Sequence, residues 1–251
     1  MNRRILAIII LLVFTIIPVY WKAYASLDAI SLKAYYSPSL DNHLKELPNR
    51  EIMNELVYLP SSKFSEKEAA LMIQRVSNIP TNILDVLVHQ NVHLYLFNGK
   101  LTDVQGFEHL HGSKPRGYSN NGVNWEEVPG IGGSKLVLAK IGHSNKGMGH
   151  GSINLEIHEL AHSVDRYVLG NVRLNQSFLN VWKEEASLLF PEKNYFLHFP
   201  EEYFAETFAM YYLNEKTRFE LAMNAPKTFL FIQNIETLPI TNEFIVSGNH
   251  H

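Results

Sequence analysis

The chain of 251 residues is 46% hydrophobic and only 19% charged, a composition that supports a full core and excludes a disordered or fibrous protein. Its formal charge of -3 lacks the basic excess that phosphate backbones attract, so we expect no nucleic-acid partner. The absence of cysteine excludes disulfides, thiol nucleophiles, lipidated cysteines and cysteine zinc sites, and leaves histidine and carboxylate chemistry.

The N-terminus has the pattern of an export signal. Two arginines precede a nearly unbroken apolar run at residues 5–21, and the small-x-small sequence Ala23-Tyr24-Ala25 follows. This predicts a signal peptide over residues 1–25, with Ser26 as the first mature residue of a secreted protein. Cleavage would remove three of the 22 basic residues and none of the 25 acidic ones, leaving a charge of -6. An uncleaved anchor is the alternative, because about 17 apolar residues lie at the lower limit for spanning a membrane.

The first half of the chain mixes short helices and strands. Residues 26–55 are predicted to be a lead-in or linker, because most of this stretch shows no clear period. Residues 65–79 predict an amphipathic helix capped by Ser65, residues 83–90 a second short helix, and residues 92–97 a strand.

The second half becomes mostly helical. Residues 104–111 predict another short helix, and the stretch 114–133, rich in Gly, Pro, Asn and Ser, predicts a long loop that is either functional or a plain connector. Residues 135–142 predict a strand. Three helices are predicted after it, at 152–169, 178–190 and 200–212. The pattern is α+β, with a small sheet and a mostly helical C-terminal half, in one catalytic domain over 56–240 followed by a flexible tail at 241–251.

The sequence HELAH at residues 158–162 is the main chemical signal. His158 and His162 lie one turn apart on the same helix face, so both can bind one zinc ion. Glu159 is rotated off that face and can instead take a proton from a water at the metal, which is the general-base role in the HExxH signature.

A second helix supplies acidic residues. Glu202 and Glu206 share one face of an otherwise apolar helix that opens with Pro200. Because carboxylates are rarely buried without a partner, we assign Glu202 as the third zinc ligand and Glu206 as a group that orients a liganding histidine. A solvated acidic face is the alternative.

Other polar residues carry weaker signals. Tyr195 can donate a hydrogen bond to an oxyanion, although most tyrosines are packing residues. His150 and His198 lie in loops, and we expect structural or substrate-side roles for them rather than metal binding. Asp165 is expected to be a hydrogen-bonding or capping group.

The chain resembles the anthrax lethal factor family of zinc metalloendopeptidases, and most closely its small secreted branch, the Pro-Pro endopeptidases. The matching segments run in order along residues 56–236: NGKLTD at 98–103, NWEEVPGIGGS at 124–134, IGHSNKGMGHGSINLEIHELAH at 141–162, NYFLHFPEEYFAETFAMYYLN at 194–214 and APKTFLFIQN at 225–234.

This resemblance implies a zincin-like metalloprotease fold and a function. It implies that His158, His162 and Glu202 bind Zn²⁺, one ion per chain, that Glu159 is the general base, and that Tyr195 stabilises the oxyanion. It implies cleavage between two prolines in Pro-rich segments of exported or cell-surface proteins, with a substrate cleft formed by the following residues: Trp125, Gly132, Gly133, Ser134 and Lys135. Val123 and Lys135 differ from residues that occur in some relatives.

The chemical properties of proline are consistent with a Pro-Pro substrate and an apolar cleft. A second proline offers no amide N–H, so recognition must depend on shape and on apolar rings, and an indole such as Trp125 packs well on a pyrrolidine. Trp125 could instead be a core residue that fastens the loop. We expect a monomer. The alternative function is a non-catalytic surface module that binds Pro-rich peptides, and an intracellular toxin is a third, less favoured interpretation.

Overall fold

The computed structural model describes residues 28–115 and 122–237. The predicted signal peptide at 1–25, the predicted tail at 241–251 and part of the predicted loop, residues 116–121, lie outside the described residues. Within the described ranges, no helix combines the length and the apolar character needed to cross a membrane.

A five-stranded mixed sheet forms one layer of the fold. Its spatial order is β1-β2-β3-β5-β4, with β2, β3 and β5 parallel and the two edge strands antiparallel to their neighbours. The strands are β1 Ala29–Ser31, β2 Val57–Pro60, β3 His93–Phe97, β4 Gly130–Ile131 and β5 Leu136–Lys140. The strands predicted at 92–97 and 135–142 are confirmed as β3 and β5, whereas the two-residue edge strand β4 lies inside the stretch predicted to be irregular.

The described chain also forms ten α-helices, six of them in its C-terminal half. They are α1 Pro38–His43, α2 Arg50–Leu56, α3 Glu66–Val76, α4 Thr81–His89, α5 Leu155–Tyr167, α6 Gln176–Leu189, α7 Asn194–His198, α8 Pro200–Leu213, α9 Glu215–Asn224 and α10 Pro226–Ile235. The helices predicted at 65–79, 83–90, 152–169, 178–190 and 200–212 correspond to α3, α4, α5, α6 and α8, so the α+β class with a mostly helical second half is confirmed.

Side-chain caps explain where two of these helices begin. Ser65 accepts a hydrogen bond from the Glu68 N–H at 3.4 Å and starts α3 where the sequence predicts it. Helix α5 begins three residues later than predicted, because the Asn154 side chain caps it by accepting the Ile157 N–H at 3.0 Å.

The helix predicted at residues 104–111 is wrong. The chain forms two separate 3₁₀ turns instead, Leu101–Asp103 just before this range and Glu108–Leu110 within it. Gly106 lies between them with φ +91°, a left-handed conformation that interrupts any helix.

The prediction that residues 26–55 form a loosely packed lead-in or linker is also wrong. Strand β1 pairs with β2, and Leu32, Leu40 and Leu44 are no more than 2% exposed in the main core. Ser37 caps α1 by accepting the Leu40 N–H at 3.3 Å. The elements are too short to produce a visible hydrophobic period, so the sequence pattern hides them.

The sheet separates two hydrophobic clusters by strict alternation along its central strands. In β3, Leu94 and Leu96 face the main cluster beneath the helices, whereas Tyr95 and Phe97 face a smaller cluster on the other side. Trp125 packs against this smaller cluster, so the 3₁₀ turn Trp125–Glu127 is attached to the sheet.

Helices α5 and α8 form the most extensive contact between two elements of the described fold. Helix α8 is buried on all sides from Glu202 to Tyr212, as expected for a helix whose apolar residues surround its axis. This packing brings the HELAH sequence of α5 directly against the acidic residues of α8.

Candidate metal site and cleft

His158, His162 and Glu202 converge on one point. The Nε2 atoms of both histidines lie 3.4 Å from Oε2 of Glu202, and one ligand atom from each of the three residues lies within 4.8 Å of the other two. All three side chains are at least five-sixths buried, at 8%, 16% and 9% exposure. Two imidazoles and one carboxylate in this arrangement could hold a divalent cation.

Glu206 lies behind this cluster and contacts the opposite nitrogen of His158. Its Oε2 is 3.2 Å from His158 Nδ1, and both of its carboxylate oxygens accept the Ile153 backbone N–H, at 3.0 and 3.2 Å. Because Nδ1 is occupied in this way, Nε2 of His158 points at Glu202. The orienting arrangement predicted for Glu206 is therefore present in the geometry, and the solvated acidic face is excluded because Glu202 and Glu206 are buried.

The site attracts positive charge. Burial opposes the charged form of His158, but hydrogen bonds to Glu202 and Glu206 outweigh it and raise its pKa to about 10. Burial likewise acts to raise the pKa of Glu202, yet the hydrogen bonds from both histidines outweigh it and hold that pKa well below its usual range. A metal cation would take the place of the protons that this cluster otherwise binds.

Glu159 borders the same cluster from α5 and lines the adjacent cleft. Burial raises the pKa of its carboxyl group, against the opposing effect of the two histidines. Its position beside the histidine and Glu202 cluster, without belonging to it, is the one that the HExxH spacing predicts.

Two glycines allow the edge strand to touch α5 at Glu159. A Cβ atom on Gly132 would lie 1.9 Å from the Glu159 carbonyl oxygen, and one on Gly130 would lie 2.9 Å from the Leu138 carbonyl oxygen and 3.0 Å from Glu159 Cγ. The contact at Gly132, the residue after β4, is impossible for a real Cβ atom, and those at Gly130 are very tight, so glycine at these two positions lets this edge of the sheet lie close to α5.

A cleft of about 380 Å³ opens onto this cluster. Its wall is formed by the HELAH helix, strand β4, the start of α8 and several apolar side chains: Pro115, Trp125, Val128, Pro129, Ile131, Leu155, Tyr195 and Phe196. Tyr195 comes from α7, where its ring packs edge-on against Phe199 with centroids 5.3 Å apart. Trp125 and Tyr195, both predicted as site residues, therefore reach the cleft, and Trp125 also packs on the smaller core cluster.

The predicted substrate loop lies only partly along the wall of the cleft, and its role in binding substrate stays a prediction. Gly132 lines the cleft, but Gly133, Ser134 and Lys135 are not among the lining residues. Hydrogen bonds explain this, because the turn is fastened to α5: Gly133 N–H donates to Ser163 Oγ at 3.2 Å, and Ser163 Oγ donates to the Ser134 carbonyl at 2.9 Å.

The three other polar residues considered in the sequence analysis lie in different environments. His150 lines the cleft, with both ring nitrogens in hydrogen bonds within its own loop. His198 was predicted to lie in a loop but is the exposed last residue of α7, with Nδ1 at 2.7 Å from the Asn194 carbonyl. Asp165 accepts the Val172 N–H and is a hydrogen-bonding group, as predicted.

Several groups that shape this region of the structure were not predicted from the sequence. The Ile153 N–H has no side-chain signature, and the roles of Gly130 and Gly132 depend on a helix distant in sequence. Glu156, on the same face of α5 as Leu160, accepts a hydrogen bond from Arg75 Nη1 at 2.9 Å and is fully buried. A charged residue on an apolar helix face was a usable signal for this ion pair.

Known proteins resemble this chain over most of its length. Residues 43–235 match the family described as "Anthrax toxin lethal factor, N- and C-terminal domain". The Pro-Pro endopeptidase of Clostridioides difficile (strain 630) is 40% identical over 187 residues, which cover 74% of this chain and 84% of that protein. The Pro-Pro endopeptidase of Paenibacillus alvei is 40% identical over 186 residues, which cover 74% and 85%.

A solved structure agrees with this likeness. The structure of the Pro-Pro endopeptidase from Paenibacillus alvei matches with a TM-score of 0.70 and 40% identity, over 73% of this chain and 99% of that one. The family match covers well over half of the chain and both relatives are matched over most of their length. The chain therefore belongs to the anthrax toxin lethal factor family.

Proposed function

We propose that this chain is a zinc-dependent endopeptidase that hydrolyses the bond between two prolines in Pro-rich segments of exported or cell-surface proteins. The observation that carries the proposal is the convergence of His158, His162 and Glu202 beside Glu159 at the base of an open cleft. The names of the relatives supply the bond that is cut.

The donor set fits zinc. In a tetrahedral site with metal–ligand distances near 2.0–2.1 Å, two ligand atoms lie about 3.3 Å apart. Each histidine Nε2 atom lies 3.4 Å from Glu202 Oε2. When bound, the ion would supply Lewis-acid polarisation of the scissile carbonyl and would make a neighbouring water more acidic.

Two side chains near the proposed ion have separate roles: one transfers protons and the other stabilises the developing negative charge. Glu159 takes the proton from the attacking water and passes it to the leaving nitrogen, which is the proline nitrogen of a Pro-Pro bond. Tyr195, in the wall of the cleft, donates its phenolic hydrogen bond to the oxyanion that forms at the scissile carbonyl.

The cleft wall supports selection of proline. Proline has no N–H, so a Pro-Pro segment forms fewer hydrogen bonds to an edge strand than other peptides do. Strand β4 is only two residues long, while Trp125, Val128 and Phe196 offer apolar surface for pyrrolidine rings. Shape and apolar contact therefore favour a Pro-Pro peptide over one with free amide groups.

A non-catalytic binding module is the competing function, and no described contact favours it. Glu159 lies inside the cleft next to the ligand cluster, where it would have no use in a pure binder.

The test is Glu159→Gln, which keeps the size of the side chain and removes the base. We expect this variant to bind one Zn²⁺ and to unfold like the parent protein, while cleavage of a quenched Pro-Pro peptide falls by at least about 10²-fold. Glu184→Gln, at an exposed residue of α6, is the matched control. Undiminished cleavage by Glu159→Gln, or a parent protein that cuts Pro-Ala as fast as Pro-Pro peptides, would refute the proposal.

A further inference from the structure

An imidazole bridges two points of the loop that joins β5 to α5, beside the backbone contacts between residues 144–145 and 154–155. His150 Nε2 lies 2.7 Å from the His143 carbonyl oxygen, and Nδ1 lies 2.7 Å from Ser152 Oγ. A carbonyl can only accept, so Nε2 carries the hydrogen, and in the neutral ring Nδ1 then accepts the Ser152 hydroxyl proton. We call residues 143–152 the His150 loop.

This bonding leaves neither nitrogen of His150 available to a ligand. The ring borders the cleft, yet its hydrogen-bonding capacity is used at the two ends of the loop. Between those ends, Gly147 and Gly149 adopt left-handed φ angles of +90° and +89° that make the reversal possible, and the Gly147 N–H donates to the His150 carbonyl at 3.0 Å.

The end of the loop that His150 holds is connected to the metal site. Ser152 is 7% exposed, and the peptide bond after it carries the Ile153 N–H that Glu206 accepts with both oxygens. Glu206 in turn contacts His158 Nδ1 at 3.2 Å. A path of three contacts therefore links His150 to a predicted ligand: a hydrogen bond to Ser152, then, across the covalent Ser152–Ile153 peptide, the hydrogen bond from Ile153 N–H to Glu206, and finally the contact of Glu206 with His158.

We propose that His150 is a positioning residue for the metal site, which it affects by fixing the Ser152–Ile153 peptide against Glu206. The proposal rests on the metal-dependent function proposed above. It assigns to His150 neither metal binding nor contact with the reacting atoms.

The first test measures zinc binding without any peptide. Apo-protein competes with a chromophoric chelator for Zn²⁺, and His150→Ala is expected to weaken zinc binding about tenfold, the lower end of the range for groups that contact a ligand directly. Ser152→Ala, a smaller change, should weaken it by a similar factor. The double variant should lose little more than either single variant, because both act through one hydrogen bond. His89→Ala, at an exposed histidine of α4, should bind zinc like the parent.

The second test separates positioning from the alternatives. With zinc at saturation, His150→Ala should lower kcat for a Pro-Pro peptide several-fold and change KM less than twofold. A raised KM with unchanged zinc affinity would make His150 a substrate-binding residue. A lower Tm with unchanged zinc affinity and kcat would make it merely structural. Either result overturns the proposal.

Failure of the proposed function would look different. A parent protein that binds zinc and cuts no Pro-Pro peptide refutes the function, while the effect of His150 on zinc affinity can still be measured. A parent protein that does both, with a His150→Ala variant that keeps full zinc affinity, refutes the positioning role alone.

Discussion

Gly132→Ala tests how the edge strand sets the geometry of catalysis. The added Cβ atom would lie 1.9 Å from the Glu159 carbonyl oxygen and 2.9 Å from the Glu159 Cα atom. These are backbone atoms of α5, so no side-chain rotation can relieve the contact. Strand β4 must move away from the helix, or α5 must move with its histidines.

The size of the movement follows from the distances. Real Cβ atoms essentially never approach within 3.0 Å, so the Cβ must retreat by at least about 1.1 Å from the oxygen at 1.9 Å, and a misplacement near 1 Å can cost about 10²-fold in rate. Overpacking of this kind also lowers the free energy of unfolding by about 1–3 kcal/mol. We therefore expect kcat/KM to fall by about 10²-fold in a protein that remains folded.

Three measurements define the outcome. Peptide cleavage gives kcat/KM, chelator competition gives zinc affinity, and urea unfolding gives stability. Gly151→Ala is the steric control, because a Cβ there meets nothing within 4 Å and its φ is not left-handed; its free energy of unfolding should change by less than about 0.5 kcal/mol. If Gly132→Ala cleaves like the parent, the close approach of β4 to Glu159 does not set the catalytic geometry.

Four further predictions address other parts of the molecule. Tyr195→Phe should lower kcat by about 10²–10³-fold with little change in KM, and a change in KM alone would contradict oxyanion stabilisation. Zinc at 100 times its Kd should raise the free energy of unfolding by about 2.7 kcal/mol, and a chelator should abolish that gain. Arg75→Met should cost about 3 kcal/mol by leaving the buried Glu156 unpaired, whereas Lys33→Met, at an exposed pair, should leave the free energy of unfolding nearly unchanged. Mass spectrometry of exported protein should find Ser26 at the mature N-terminus, and a retained residue 1–25 segment would favour the anchor.

The residues that converge on the candidate site could be predicted because helical periodicity is a local property. His158 and His162 are four apart on α5, and Glu202 and Glu206 are four apart on α8, so each pair shares a face whatever the rest of the chain does. Because α8 is mostly apolar, its two glutamates could be predicted to be buried, and buried carboxylates need partners. The pairing of α5 with α8 was an inference from chemistry rather than from pattern.

The cleft wall and the N-terminal elements could not be predicted in this way. Strand β4 has two residues, and its position depends on hydrogen bonds to β5 and on the absence of a side chain at Gly132, neither of which leaves a periodic signal. The same applies to the Ile153 N–H, since every non-proline residue has one. Strand β1 and helix α1 are too short for their buried leucines to repeat.

Because the proposed metal ligands and the cleft wall are held in place by different contacts, we predict two classes of functional defect that can be measured separately. The proposed ligands are fixed by side chains on two long, mutually buried helices, so changes along the path from His150 to Glu206 should act first on zinc affinity. The substrate wall is fixed by backbone contact between β4 and α5, so changes there should act first on turnover at full zinc occupancy. The two helices can thus hold an ion in place, while the contact of β4 with α5 helps to determine whether a peptide lies correctly beside Glu159.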